Sequence, residues 1–122
     1  MSYPMNGPNV YAIYFRSAGV MKVGHSMGER WRSWVARGAE LAATYEFEFI
    51  EDARAIERYI HESLDTYLPR AFANSGEAKA LTGIAAGGWT EFYRLPAYLE
   101  PADILTALQN LHSRAITNGS EL

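Results

Sequence analysis

The 122 residues contain no cysteine, which excludes a disulfide framework and a thiolate zinc site together. Histidine is scarce as well: His25, His61 and His112 lie too far apart in sequence for the spacing of a structural zinc cluster. No apolar run approaches the roughly 20 residues needed to span a bilayer, and the N-terminus lacks the charged and apolar regions of a secretory signal. The expectation is a soluble, cytoplasmic chain with no membrane partner. Positive charge is also in short supply, with 11 Lys and Arg against 14 Asp and Glu and a net charge of −3. That balance argues against a protein held to nucleic acid by bulk electrostatics. The shortage is uneven, however. Arg16, Lys22, Arg30, Arg32 and Arg37 face only Glu29 and Glu40 within residues 1–40, whereas acidic groups dominate the remainder. Short chains often segregate charge in this way without consequence.

What is present suits one packed domain over residues 1–122, since 48% hydrophobic content with 13% aromatics supports a single core. Residues 1–8, with Pro4, Gly7 and Pro8, read as an irregular lead-in. Asn9–Phe15 and Val20–Gly24 are short strand-like runs joined by Arg16-Ser17-Ala18-Gly19, which suits a hairpin. Ser26-Met27-Gly28-Glu29 has capping-box spacing and predicts a helix start, with Trp31, Trp34 and Val35 inward and Gly38 as its left-handed stop. Thr44–Phe49 alternates polar with aromatic residues like a strand with one wet face, its aromatics reading as core. Glu51–Leu68 is the longest predicted helix, with Ala53, Ile56, Ile60, Leu64 and Tyr67 on one stripe and Pro69 as the stop. A short helix is expected around Glu77–Ala85 in an Ala- and Gly-rich stretch, then a strand over Trp89–Leu95. The final helix, Pro101–Ile116, should turn Ile104, Leu105, Leu108 and Leu111 inward, with a frayed tail over Thr117–Leu122. The order predicts an α+β fold: a small, mainly antiparallel sheet with an N-terminal β-hairpin, flanked by helices, its core about 9–95 and its last helix about 101–116.

Five residues in this frame have the chemistry of phosphodiester hydrolysis, which needs a base for water, positive charge on the phosphoryl oxygens and help for the leaving oxyanion. Tyr11 and Lys22 sit in the paired strands, His25 follows Gly24, Arg30 opens the next helix and Glu57 lies on the long one. An arginine fork binds phosphate in two places. Magnesium takes hard oxygen ligands and keeps several waters, so one placed carboxylate is an adequate protein contribution. A tyrosine ionises near pH 10 in water, too high for a base acting alone, so Lys22 and His25 are expected to lower or relay that proton.

The order of these pieces resembles the GIY-YIG nuclease family. Val10-Tyr11-Ala12-Ile13 looks like the first motif and Lys22-Val23-Gly24 like the second, with Lys22 in place of its tyrosine and His25 after the glycine, a variant carried by some restriction-enzyme members. Asn9 stands where the first motif has its leading glycine. Arg30-Trp31 falls where the family has its helix arginine, and Glu57 in Ala55–His61 where it has its metal-binding glutamate. Gly88–Tyr93 resembles a late aromatic segment of one branch. The resemblance implies a Mg2+-dependent (or Mn2+-dependent) endonuclease acting on DNA ahead of RNA. Tyr11, Lys22, His25, Arg30 and Glu57 would be catalytic, Glu57 the metal ligand, and Arg30, Arg32 and Arg37 in contact with nucleic acid.

Each assignment has an ordinary alternative. Tyr11 suits a sheet aromatic, Tyr14 a literal motif match on the opposite face, and Lys22 an edge residue reaching for water. Arg30 suits packing over an indole, Glu57 a solvated pair with His61, and Glu91 an ion partner for an arginine. The alternative function is a catalytically inactive nucleic-acid-binding or protein-interaction module. A domain this small would need a homodimer, a partner protein or single-stranded substrate for a larger footprint. The nuclease reading requires Tyr11, Lys22 and Arg30 on one concave surface with Glu57 opposite them; Tyr11 and Glu57 on opposite sides of the sheet would remove it.

Overall fold

The computed structural model describes residues 7–83 and 89–120, the side chains of 113–120 excepted. Four strands form one antiparallel sheet: β1 (Asn9–Phe15), β2 (Val20–Ser26), β3 (Glu40–Glu46) and β4 (Phe92–Arg94), in the spatial order β3-β1-β2-β4. Four helices join them: α1 (Trp31–Val35), α2 (Ile50–Tyr67), α3 (Ser75–Thr82) and α4 (Pro101–Ser120). The fold is α+β, opened by a hairpin. None of the described helices is long and apolar enough to cross a membrane.

Strand β1 is central because neither face of it can tolerate water. Val10, Ala12 and Tyr14 pack with Met21 and Val23 of β2 against Ala53, Ile56, Ile60 and Leu64 of α2 and Leu105 of α4. Tyr11, Ile13 and Phe15 face the other way, with Trp34 of α1, Ala78 of α3, and Ala71, Phe72 and Phe92. Alternation along one strand thus feeds two apolar layers. The hairpin register pairs Tyr11 with Gly24 and Ile13 with Lys22. Gly19, at φ +66°, supplies the left-handed corner that lets Phe15 meet Val20.

Several expectations are corrected. Ser26 does not cap α1. It ends β2, and its hydroxyl donates to Gly28 O at 2.8 Å and lies 3.3 Å from Asn9 Oδ1, so the helix starts only at Trp31. With five residues α1 buries Trp34 and half-buries Trp31, but leaves Val35 exposed. Gly38 turns at φ +102° after it, as expected. The third strand is Glu40–Glu46, because pairing with β1 outweighs the aromatic alternation of 44–49, and Phe49 sits exposed at the start of α2. On α2 the stripe holds from Ala53 to Leu64, whereas Tyr67, in the last turn, is 79% exposed.

Helix α3 begins earlier than expected because Asn74 Oδ1 accepts the Glu77 N–H at 3.0 Å, and Gly83 ends it in the left-handed region. Residues 84 and 85 of that expectation, like 1–6 of the lead-in, lie outside the described residues. The late strand divides into a 3₁₀ turn (Trp89–Glu91) and the three residues of β4. Helix α4 continues through Ser120, where a frayed tail was expected; it buries Leu105 and half-buries Ile104 and Leu108 but leaves Leu111 exposed.

The α2 stripe yields a paired test by urea unfolding. Ile60→Ala, at a fully buried position, should cost about 2–5 kcal/mol. Tyr67→Ala should stay within about 0.5 kcal/mol of the parent.

Candidate active site at the open edge of strand β2

Strand β4 pairs with β2 only over Val20–Lys22, so among the described residues no strand neighbours the edge of β2 beyond Lys22. Side chains from both faces reach this stretch. On the α1 face, Tyr11 and Lys22 converge above Gly24: a Cβ built there would lie 2.9 Å from both Tyr11 Oη and Lys22 Nζ. Glycine is therefore what lets the two polar ends cross the strand. Lys22 is not an edge lysine stretching for water. Its side chain is 6% exposed, its Nζ lies 5.4, 5.6 and 5.8 Å from the ring centres of Tyr11, Trp34 and Phe92, and its ion partner is Glu91 at 3.6 Å. Aromatic faces and one carboxylate compensate the buried ammonium.

On the α2 face, Glu57 is 13% exposed and receives two histidines. His25 Nδ1 meets Glu57 Oε2 in a short contact, and His61 Nε2, one helical turn along, lies 3.4 Å from Oε1. His61 is itself tightly placed. Its Nε2 lies 3.1 Å from Val23 O, and its Nδ1 2.5 Å from Tyr93 Oη, whose ring stacks on the imidazole. A carbonyl only accepts, so Nε2–H donates to Val23 O and the Tyr93 hydroxyl donates to Nδ1. Burial pushes the Tyr93 hydroxyl's pKa up, which keeps that proton on oxygen.

Glu91, from the 3₁₀ turn, joins the two groups, with Oε2 3.6 Å from Lys22 Nζ and 4.0 Å from His61 Nε2. The two carboxyls titrate in opposite directions. Burial pushes Glu57 up, but the hydrogen bonds from His61 and His25 outweigh it and hold the carboxyl at about 2. At Glu91 burial prevails over the attraction of Lys22, and the negative charge of Glu57 adds to it, so its pKa is raised. Glu57, His61 and Glu91 each offer one ligand atom within 4.8 Å of the others.

The expected residues therefore fall into a different arrangement from one concave surface. Tyr11 and Lys22 come together, as do His25 and Glu57, but the two pairs leave opposite faces of the sheet. Tyr11 and Glu57 on opposite faces is the outcome that counts against the nuclease reading; what joins the two faces is a run of contacts round the open edge, from Lys22 through Glu91 and His61 to Glu57. Tyr11 Oη has no hydrogen-bond partner among the described residues. Arg30 immediately precedes α1, exposed and without an ion pair among the described residues. Arg32 and Arg37 are exposed as well, and the stacking over Trp31 falls to Arg32 at 4.9 Å.

Glu57 is more deeply placed than a solvated Glu–His pair. Glu91 has Lys22 as its cation instead of an arginine, and its approach to His61 was not visible in sequence; only the four-residue spacing of Glu57 and His61 pointed toward this cluster. Comparison with known proteins leaves the family open: no family model, no curated protein and no solved structure matches the chain.

Two measurements check this geometry. Gly24→Ala forces the Tyr11 ring or the Lys22 ammonium to move and should cost about 1–3 kcal/mol in urea unfolding. Glu57 titrates lower when folded, so its contribution is complete above its ordinary 4.5 and is lost as pH falls toward about 2. The fall in melting temperature across that window should be shallower in Glu57→Gln than in the parent.

Proposed function

We propose that the protein is a divalent-metal-dependent endonuclease that hydrolyses phosphodiesters in DNA, in the manner of the GIY-YIG nucleases its motifs resemble. The observation that carries this reading is the run of contacts at the open edge of β2 from Lys22, which lies beside Tyr11, through Glu91 and His61 to Glu57. A phosphate at this edge meets Lys22 as counter-charge and Tyr11 as the group that takes the proton of the attacking water. His25 orients the Glu57 carboxylate by hydrogen bonding to one of its oxygens, leaving the other for a cation. When bound there, a divalent ion supplies Lewis-acid stabilisation of the leaving oxyanion. Arg30, exposed and unpaired among the described residues, is free to fork a phosphate oxygen. Few basic groups are available, so binding should fall only modestly with salt.

Two observations favour the alternative, a non-catalytic nucleic-acid-binding or protein-interaction module. Tyr11 and Glu57 leave opposite faces of the sheet. Tyr11 is only 1% exposed, and a base must reach its water. In that case the edge cluster serves as a polar bolt between α2 and the sheet.

Cleavage of a fluorescent oligonucleotide, with and without divalent cation, separates the two readings. Tyr11→Phe should lower the metal-dependent rate by about 10²–10⁴-fold with the fold intact. Glu57→Gln should lower it at least about a hundredfold while oligonucleotide affinity is kept or slightly raised. Glu57→Gln should also cost about 1.5–3 kcal/mol of stability, because a charged acceptor that His25 holds and His61 flanks is replaced. A folded Tyr11→Phe or Glu57→Gln protein that cuts at the parent rate would sink the mechanism. No cleavage by the parent under any cation would leave the binding module.

A further inference from the structure

We infer that Glu57, His61 and Glu91 together form a three-ligand site for a borderline transition-metal dication, of the Mn2+ or Zn2+ kind, which takes such ions in preference to Mg2+. The inference rests on the reading of Glu57 as a metal ligand and goes beyond it in ligand set and metal class.

The spacing fits. Glu57 Oε1 and His61 Nε2 are 3.4 Å apart, and His61 Nε2 and Glu91 Oε2 are 4.0 Å apart. Two ligands held about 2.1 Å from a tetrahedral ion stand about 3.4 Å from each other, so the first pair already has this spacing. Glu91 has only to draw inward, and it comes from a single 3₁₀ turn with its side chain 28% exposed. The second carboxylate oxygen of Glu57 is taken by His25, which leaves one oxygen facing the cluster.

His61 has the support that a metal-binding imidazole needs. Ligation requires the lone pair of Nε2, so the ring proton must reside on Nδ1. Tyr93 permits this without moving, because Oη is 2.5 Å from Nδ1 and 3.5 Å from His61 O. The hydroxyl can accept from Nδ1–H and turn its own proton to the carbonyl. The proton that Nε2 gives to Val23 O in the metal-free protein is then absent, and the ring must tilt from Val23 O toward Glu57 Oε1 and Glu91 Oε2 to offer its lone pair to the ion. An imidazole with two carboxylates is a donor set for borderline transition ions, whereas Mg2+ favours oxygen ligands and retained waters.

The test is metal binding by the full chain in the absence of nucleic acid. Protein stripped with EDTA would be titrated calorimetrically with Zn2+, Mn2+ and Mg2+, with folding of every variant checked by circular dichroism. The expected result is one Zn2+ and one Mn2+ per chain, each bound at least about tenfold more tightly than Mg2+. Loss of a supporting hydrogen bond alone costs about 10–100-fold in metal affinity, so Glu91→Gln and His61→Gln should each weaken Zn2+ at least about tenfold. His61→Gln, which exchanges a nitrogen for an oxygen donor, should also narrow the Zn2+ to Mg2+ ratio, a change that a merely structural role would not produce. Tyr93→Phe keeps the ring and should weaken Zn2+ about tenfold.

Equal affinity for all three ions, or unchanged Zn2+ binding in folded Glu91→Gln, overturns the inference; Glu91→Gln decides if His61→Gln does not fold. Zn2+ binding that follows these variants in a protein that cuts no DNA supports the site and removes the nuclease. Mg2+-dependent cutting that needs Glu57 alone does the reverse.

Discussion

The arrangement depends on a carboxylate that is out of water yet charged. Glu57 is held ionised by His61 of its own helix and by His25 of β2, so one side chain ties α2 to the sheet at a point where, among the described residues, no strand covers the edge. Burial opposes this charge, and the two hydrogen bonds overcome it. Such a tie can form only where a helix side chain can reach past the end of a strand. That requires β4 to be short. Three residues of β4 cover Val20–Lys22, and the backbone carbonyl of Val23, left without a ladder partner on that side, is met by His61 instead. The short strand, the imidazole and the carboxylate are thus consequences of one another.

The second polar group, Lys22, is tolerated for a different reason. It lies among three aromatic rings that also build the smaller apolar layer, so its charge is balanced by ring faces and by a single carboxylate. Glu91 therefore has two obligations, to Lys22 on one side and to the Glu57–His61 pair on the other. A substitution at Glu91 touches both faces of the sheet although the residue belongs to neither. Coupling between Lys22 and Glu57 is physical in the sense that a continuous run of polar side chains, Glu91 and His61, links them. A double-mutant cycle across Glu91 is the way to measure it.

Local patterning was enough to reveal most of the fold. The alternation in Val10–Phe15 and the small-residue link at 16–19 specify the hairpin, and the register that follows places Tyr11 and Lys22 diagonally on one face. The stripe on α2 was legible for the same reason, up to Tyr67, where the helix outruns the surface it packs against. What misled was local chemistry with a second use. Ser26 has the spacing of a cap, yet its hydroxyl is engaged by Asn9 and Gly28, partners set by the end of the sheet. Thr44–Phe49 has the alternation of a strand, yet β1 recruits Glu40–Glu46. The candidate site was half legible. Tyr11, Lys22, His25 and Glu57 each stand out as a polar group in apolar company. Their grouping into two pairs, and the position of Glu91 between them, depends on where β4 stops, and no short-range pattern records that.

Charge at the open edge sets the terms for the proposed chemistry. Two carboxyls face one ammonium there, one held down by the histidines beside it and the other pushed up by burial. A phosphodiester brought to such an edge meets repulsion of about 4 kcal/mol per unit charge at 4 Å in a protein-like dielectric. A divalent cation among Glu57, His61 and Glu91 reverses the sign of the edge, so on this reading cation and phosphate bind with positive coupling. That coupling is reciprocal: whatever factor the cation adds to phosphate affinity, phosphate adds to cation affinity. On the proposed reading it also accounts for how a chain with a net charge of −3 would approach nucleic acid. The attraction need not be spread over the surface if it is concentrated at one edge.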